Sequence, residues 1–503
     1  MDLRIERQTL EVEKLVGARD AQLLARAEAL VPGAGRDAIE PLLADASLFI
    51  ARTDLQADRV VIEGSISCQA VYRQGEESTV RALTAGATLN HVIDIPGARP
   101  EMLCRVRGRV DHVDARYENG HMVFQIACTL RAQALALTPV EVIRSVEGEA
   151  GLQTASRPLK SVKLAAESEE MALLSDGVTL PAALDARMAL MDWITVQIDE
   201  VAPDLGGVRV KGRAMVETLV SSGAAGRPAV VVRYPLAIDQ LVELPEWLTG
   251  SVFAEADVRS VQSRLENAES AEGEDGGTRL VCQAEVRVRA YAGATDTAEA
   301  LTDIYATGGS ALAVTYDTLD LCSEAGRINV VESVRGTLLM GENAPGVGTV
   351  IAVQVRPGVS EWHSENGRTV IDGVLEASVL YMPGGSDLPA AAESEMPFSV
   401  TVPAALDEDA SIDIRAISAE ASALMSDRLE MKVQLGVACE ARHRERAQVV
   451  PEVAEGDPVR RRPGIVVSWP DADDDAWSIG KRYGVPEARV GAVERGKPVV
   501  LRV

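Results

Sequence analysis

The chain has 503 residues, of which 47% are hydrophobic and only 3% aromatic. That length exceeds one ordinary core and that composition excludes general disorder, so several domains filled by aliphatic side chains are expected. A formal charge of −26, from 50 basic and 76 acidic residues, weighs against nonspecific binding to nucleic acid or anionic membrane.

In chain order, the opening MDLRIERQTLEVEKLV has neither an apolar signal core nor a small-residue cleavage site. No apolar run is long enough for a membrane span, so the expectation is a protein kept in the cytoplasm without membrane insertion. PLLADASLFIARTDLQADR (41–59) parallels PAALDARMALMDWITVQIDEV (181–201), each read as a strand reached from a turn, with a short helix as the alternative. Next come three alternating runs, VVIEGSISCQAVY (60–72), VRVKGRAMVETLV (208–220) and VIDGVLEASVLYM (370–382). Alternation buries every second side chain on one face of a strand. Their glycines, Gly64, Gly212 and Gly373, lie 148 and 161 residues apart and predict a bulge or a close backbone approach.

Prolines then recur in DIPG (94–97), ELPE (243–246) and TVPA (401–404), each expected to end a strand because proline has no amide hydrogen to donate. Strand pairs follow at 102–117 and 122–137, at 252–265 and 278–292, and at 410–425 and 429–441. The first pair is joined by a hairpin-type turn, YENGH (117–121), and the second by a longer acidic loop at 266–277. The fold class is therefore mainly β: three tandem β-rich, sandwich-like repeats over 1–145, 146–315 and 316–450, a charged linker over 451–463, and a small βααβ module over 464–503. Arg460, Arg461 and Arg462 form the notable basic run, read as solvated linker charge or as a docking point for an acidic surface.

No catalytic constellation emerges. His91, His112, His121, His363 and His443 form no ligand set by spacing, although His112 and His121 flank one hairpin. Neither GVGTV (346–350) nor GAAGR (223–227) fits a phosphate-binding loop, and no GxSxG elbow occurs. Cys68, Cys104, Cys128, Cys282, Cys322 and Cys439 include no CxxC pair and read as reduced thiols packed in cores, with a disulfide or metal site as lesser alternatives. The expectation is a non-enzyme with no cofactor and no metal.

In the tail, IVVSW (465–469) reads as a strand and DADDD (471–475) as a helix cap, whose carboxylates accept the free first-turn amides. AWSIGKRYG (476–484) reads as a helix closed by Gly484, PEARVGAVE (486–494) as a second helix, and GKPVVLRV (496–503) as the closing strand. Trp477, Ile479 and Tyr483 serve either as core or as apolar anchors for a partner, and Lys481 and Arg482 as exposed cations facing an acidic one.

This module resembles a LysM domain, on Asp474–Asp475, Trp477, Ile479, the run Lys481 to Val485, and Gly496 to Leu501. It departs from the common pattern at Asp474 and in the Val493–Glu494 region. The preceding repeats resemble the SPOCS repeats of the SipL family of spore-envelope proteins, best in MDLRIERQTLEVEKLVG, VIEG (61–64) and IDIPGARPEM (93–102). The resemblance implies a morphogenetic adaptor in the mother-cell cytoplasm at the forespore surface. It would bind the coat-basement ATPase, SpoIVA, through the tail and promote coat assembly. The LysM likeness alone implies the alternative, binding of N-acetylglucosamine polymers of peptidoglycan. Homo-oligomerisation is left open.

Overall fold

The computed structural model describes residues 3–33, 38–75, 79–148, 151–224, 226–245, 251–267, 277–308, 310–341, 344–407, 410–458 and 464–502. Most of the expected acidic loop at 266–277 and the run Arg460–Arg462 lie outside them. The first repeat comprises β1 (Arg4–Leu30), β2 (Ile39–Gln56), β3 (Arg59–Gln74), β4 (Val80–Asp94), β5 (Leu103–Glu118) and β6 (His121–Glu147). The second comprises β7 (Leu152–Leu180), β8 (Ala186–Asp204), β9 (Gly207–Ser222), β10 (Ala229–Glu243), β11 (Val252–Asn267) and β12 (Thr278–Ala306). The third comprises β13 (Ser310–Leu339), β14 (Val347–Glu365), β15 (Arg368–Pro383), β16 (Ala390–Val402), β17 (Ile412–Met425) and β18 (Arg428–Pro458). A single 3-10 turn, Ala182–Leu184, leads into β8 where a short helix was the alternative.

All three repeats have one topology. The second, third and fourth strands form one antiparallel sheet, and the first, sixth and fifth form another. Both sheets of a repeat feed one buried core, as where Ile66 and Tyr72 of β3 meet Phe124 and Ile126 of β6. The landmark prolines sit as expected, just beyond the ends of β4, β10 and β16. The β5–β6 turn is carried by Asn119 and Gly120, both at positive φ (50° and 88°), the pairing that suits a tight hairpin.

Gly64, Gly212 and Gly373 hold equivalent places, each opposite a register shift in the neighbouring strand: Ile50/Arg52, Ile198/Glu200 and Val359/Glu361. A β-carbon at any of them would run into a backbone carbonyl oxygen, that of Phe49, Gln197 or Gly358. The bulge kinks one strand onto its neighbour, and only hydrogen leaves room.

The first and sixth strands of each repeat run well past the sheets as two-stranded ribbons, a feature absent from the sequence reading. Residues 451–458, read there as the start of a linker, belong to one of them and pair with β13, Glu452 opposite Thr315 and Val453 opposite Val314. Pro451 falls in the register shift between Thr315 and Asp317, where a residue without an amide hydrogen costs no ladder bond.

The ribbons pack on one another. Leu10, Leu159 and Leu319, standing opposite Val140, Ala298 and Ala447, share one cluster drawn from all three repeats. A second such cluster includes Ile143, Leu301 and Val450, and Val146, Ile304 and Val453. Away from the ribbons the other sheets also meet, where Val71, Leu219 and Leu380, each seven residues beyond its landmark glycine, share a cluster with Leu42, Leu190 and Ile351. The three repeats thus surround a common axis and touch at both levels.

Gly212→Ala is expected to destabilise the chain by about 1–3 kcal/mol, because backbone must move to admit a methyl group. Gly308→Ala, which meets open space, should be near neutral. Chemical denaturation of both variants checks the difference, and equal effects would refute the bulge argument.

Candidate docking module and the polar centre

The tail is strand–helix–helix–strand: β19 (Ile465–Ser468), α1 (Ala476–Tyr483), α2 (Glu487–Val490) and β20 (Val499–Arg502), with β19 and β20 antiparallel. Helix α1 starts where Asp475 accepts from the Ser478 amide at 2.7 Å while Ser478 Oγ accepts from the Asp475 amide at 2.9 Å. This reciprocal capping satisfies two amides that the helix itself cannot. It ends at Gly484, whose φ of 60° is left-handed. Helix α2 is shorter than the expected 486–494, because Gly491 leaves helical geometry at φ 72°, ψ −160°.

The five residues singled out in the sequence separate into two groups. Ile479 is fully buried with Val490, Val499 and Leu501, and Tyr483 packs on that core with its hydroxyl 3.3 Å from Ser468 Oγ. Arg482 is exposed and forks onto Asp474 at 2.6 and 3.1 Å. Trp477 and Lys481 instead reach the body of the same chain. The Trp477 indole donates to Asp303 Oδ2 at 2.8 Å, and its ring meets Tyr305 edge-on at 4.9 Å. The Lys481 ammonium donates to Asp303 Oδ1 at 2.6 Å and to the Tyr316 hydroxyl at 2.7 Å, lying over the Tyr316 ring. Tyr305 closes the contact by donating to the Val485 carbonyl at 3.0 Å. Burial pushes the Asp303 carboxyl up, but the hydrogen bonds from Lys481, Trp477 and Tyr316 outweigh it and hold the group below its usual range.

Asp303, Tyr305 and Tyr316 were missed in the sequence. Two of eight tyrosines in an aromatic-poor chain, set eleven residues apart beside an aspartate, were the available signal. The outer face of the tail sheet leaves Ile465, Val467, Trp469 and Val500 exposed, Ile465 at 70% and Trp469 at 65%.

Nearer the axis, charged side chains tie the repeats together. Arg107 of β5 pairs with Glu255 of β11 and, at 2.7 Å, with Glu440 of β18. Arg105 also reaches Glu440 at 2.8 Å, Arg327 of β13 pairs with Glu255, and Arg442 with Glu13. A cleft of about 330 Å³ opens beside this network, lined among others by Gln197, Glu255, Arg327, Asp413 and Arg415. Within it Glu255 pairs with Arg327 and Asp413 with Arg415. Burial raises the Glu255 pKa, but Arg107 and Arg327 more than reverse this and bring it down to about 2.

His112 faces Glu376 at 3.3 Å, whereas His121 lies by its own turn at Asn119, so the two are not brought together. Among the described residues no cluster of three potential metal ligands occurs. All six cysteines are unpaired and five are buried, and burial pushes the Cys68 thiol up to about 12. No helix among the described residues is long and apolar enough to cross a membrane.

A family model described as SipL, SPOCS domain matches residues 39–118. The matched segment begins with β2 and ends with β5. It covers a small part of the chain and shows similarity to that domain, with the structural equivalents β8–β11 and β14–β17 repeating its topology. Neither curated proteins nor solved structures gave a match.

Because Glu255 is held below its usual pKa, its stabilisation is complete above the unfolded value and is lost as pH falls through the folded one. Glu255 alone should therefore contribute a loss of about 3 kcal/mol on acidification between the usual glutamate range and about pH 2. Glu255→Gln should be destabilised by about 3 kcal/mol at neutral pH, because the half-buried Arg327 loses its carboxylate and Arg107 is left with Glu440 alone, and should lack that acid step. Urea titrations across pH test this, and identical pH profiles would refute it.

Proposed function

We propose that this protein is a non-enzymatic scaffold of the spore envelope, which holds surfaces together rather than turning over a substrate. The observation that carries the reading is the match of β2–β5 to the SipL, SPOCS domain, on a unit that recurs three times with one topology. A body of three fused repeats offers several faces at fixed separations, as an assembly platform needs. The tail, read as LysM-like, serves as the docking element. Its exposed strip of Ile465, Val467, Trp469 and Val500 supports contact with a protein surface. The partner proposed is the coat-basement ATPase, SpoIVA-like, met on the mother-cell side of the forespore surface.

The test is recovery of that ATPase from sporulating cells on tagged chain, either intact or ending at Pro458, where β18 stops. Deletion of the tail is expected to reduce recovery at least tenfold, corresponding to loss of about 1.4 kcal/mol or more of binding. Equal recovery on both chains would sink tail docking.

A further inference from the structure

The tail does not rest on the body at random. The common axis offers three equivalent ribbon ends, since Val142, Ile143 and Val146 match Ala300, Leu301 and Ile304 and also Val449, Val450 and Val453 in the shared clusters. On that register Asp303 and Tyr305 correspond to Ser145 and Glu147 in the first repeat and to Glu452 and Ala454 in the third. The tail is docked at the one end of the three where a carboxylate is followed two residues later by an aromatic ring. In a strand, residues two apart share a face, so Asp303 and Tyr305 present together while Ile304 between them is buried in the ribbon core.

The receiving face on the tail is complementary. Trp477 and Lys481, four apart on α1 and so on one side of the helix, divide the two carboxylate oxygens between them. Gly480 lies between, where a side chain would collide with the Tyr305 hydroxyl, and the Val485 carbonyl accepts that hydroxyl. Each polar atom of the Asp-x-Tyr pair therefore has a fitted partner. The central ion pair of the contact is partly exposed, with Lys481 at 38% and Asp303 at 20%. Such pairs are individually weak, so the docked state is reversible.

We propose that the Trp477–Gly480–Lys481 face of the tail is a receptor for an extended acidic segment of the form Asp/Glu-x-Tyr on a partner protein, and that Asp303 and Tyr305 occupy it in cis until such a segment displaces them. This rests on the reading of the tail as a docking element, and it adds the chemistry of what is docked. Joined by a short connection, the internal segment acts at an effective concentration on the order of millimolar. An external segment must therefore exceed it in affinity or arrive in multiple copies.

The test uses the full chain labelled with 5-fluorotryptophan, whose five tryptophans give five fluorine resonances, with Trp477 assigned by Trp477→Phe. Asp303→Asn is expected to shift the Trp477 resonance and leave the other four in place. A peptide with the sequence of residues 301–307, LTDIYAT, should return that resonance toward its wild-type position. LTNIYAT should bind about tenfold more weakly or worse, for want of charge-assisted hydrogen bonds. Wild-type chain should ignore both peptides at the same concentrations.

An unmoved Trp477 resonance in Asp303→Asn would overturn the latch, and equal binding of the two peptides would overturn carboxylate recognition. If Asp303→Asn disturbs the other tryptophans, Lys481→Ala breaks the same pair from the tail side and must give the Trp477 shift by itself. No ATPase enters this experiment, so its failure stands apart from failure of the recovery assay.

Discussion

The structure depends on mutual coverage of three β-ribbons. A two-stranded ribbon has two open faces and is marginally stable alone in water. Here β1/β6, β7/β12 and β13/β18 turn Leu10, Leu159 and Leu319 toward a single cluster, so each removes from water the apolar face of the others. The sheets farther along the axis are then brought close enough for Leu219 and its counterparts to meet. Repeats that could each bury a core of their own are thereby fixed in one arrangement.

Where structure is decided locally, the residues announced it. The landmark glycines, the prolines ending β4, β10 and β16, and the Asn119–Gly120 turn impose conformations that few other residues tolerate. The tail was legible for the same reason, since Asp475 and Gly484 mark both ends of α1. The ribbons were not. In β1 the stretch EVEKLVGARDAQLLARAEAL lacks clean alternation, because its burial is set by β6, 91 to 128 residues away, and by repeats farther still. The tail-binding face of β12 was equally hidden: nothing near Asp303 in the sequence indicates that Trp477 and Lys481 lie against it, 174 and 178 residues on.

Trp477 was read either as core or as an anchor for a partner and Lys481 as an exposed cation, and in the structure their polar atoms are matched by the chain itself. The two observations are compatible, because a surface that fits a carboxylate and a phenol ring in one setting has the same shape in another. On the proposal above, a competing segment would have to offer both groups in the spacing that a strand gives, and the strip on β19 and β20 stays exposed while the helix face is covered.

Fusion of the three repeats into one polypeptide has a consequence for the charged centre. Counted from the bulges in β5, β11 and β17, Arg107, Glu255 and Asp413 occupy the same position in successive repeats. Three separate identical subunits would bring like charges to that position, whereas a single chain can place a cation opposite anions. The repeats have therefore ceased to be interchangeable: a duplicated first repeat in place of the second would seat guanidinium against guanidinium.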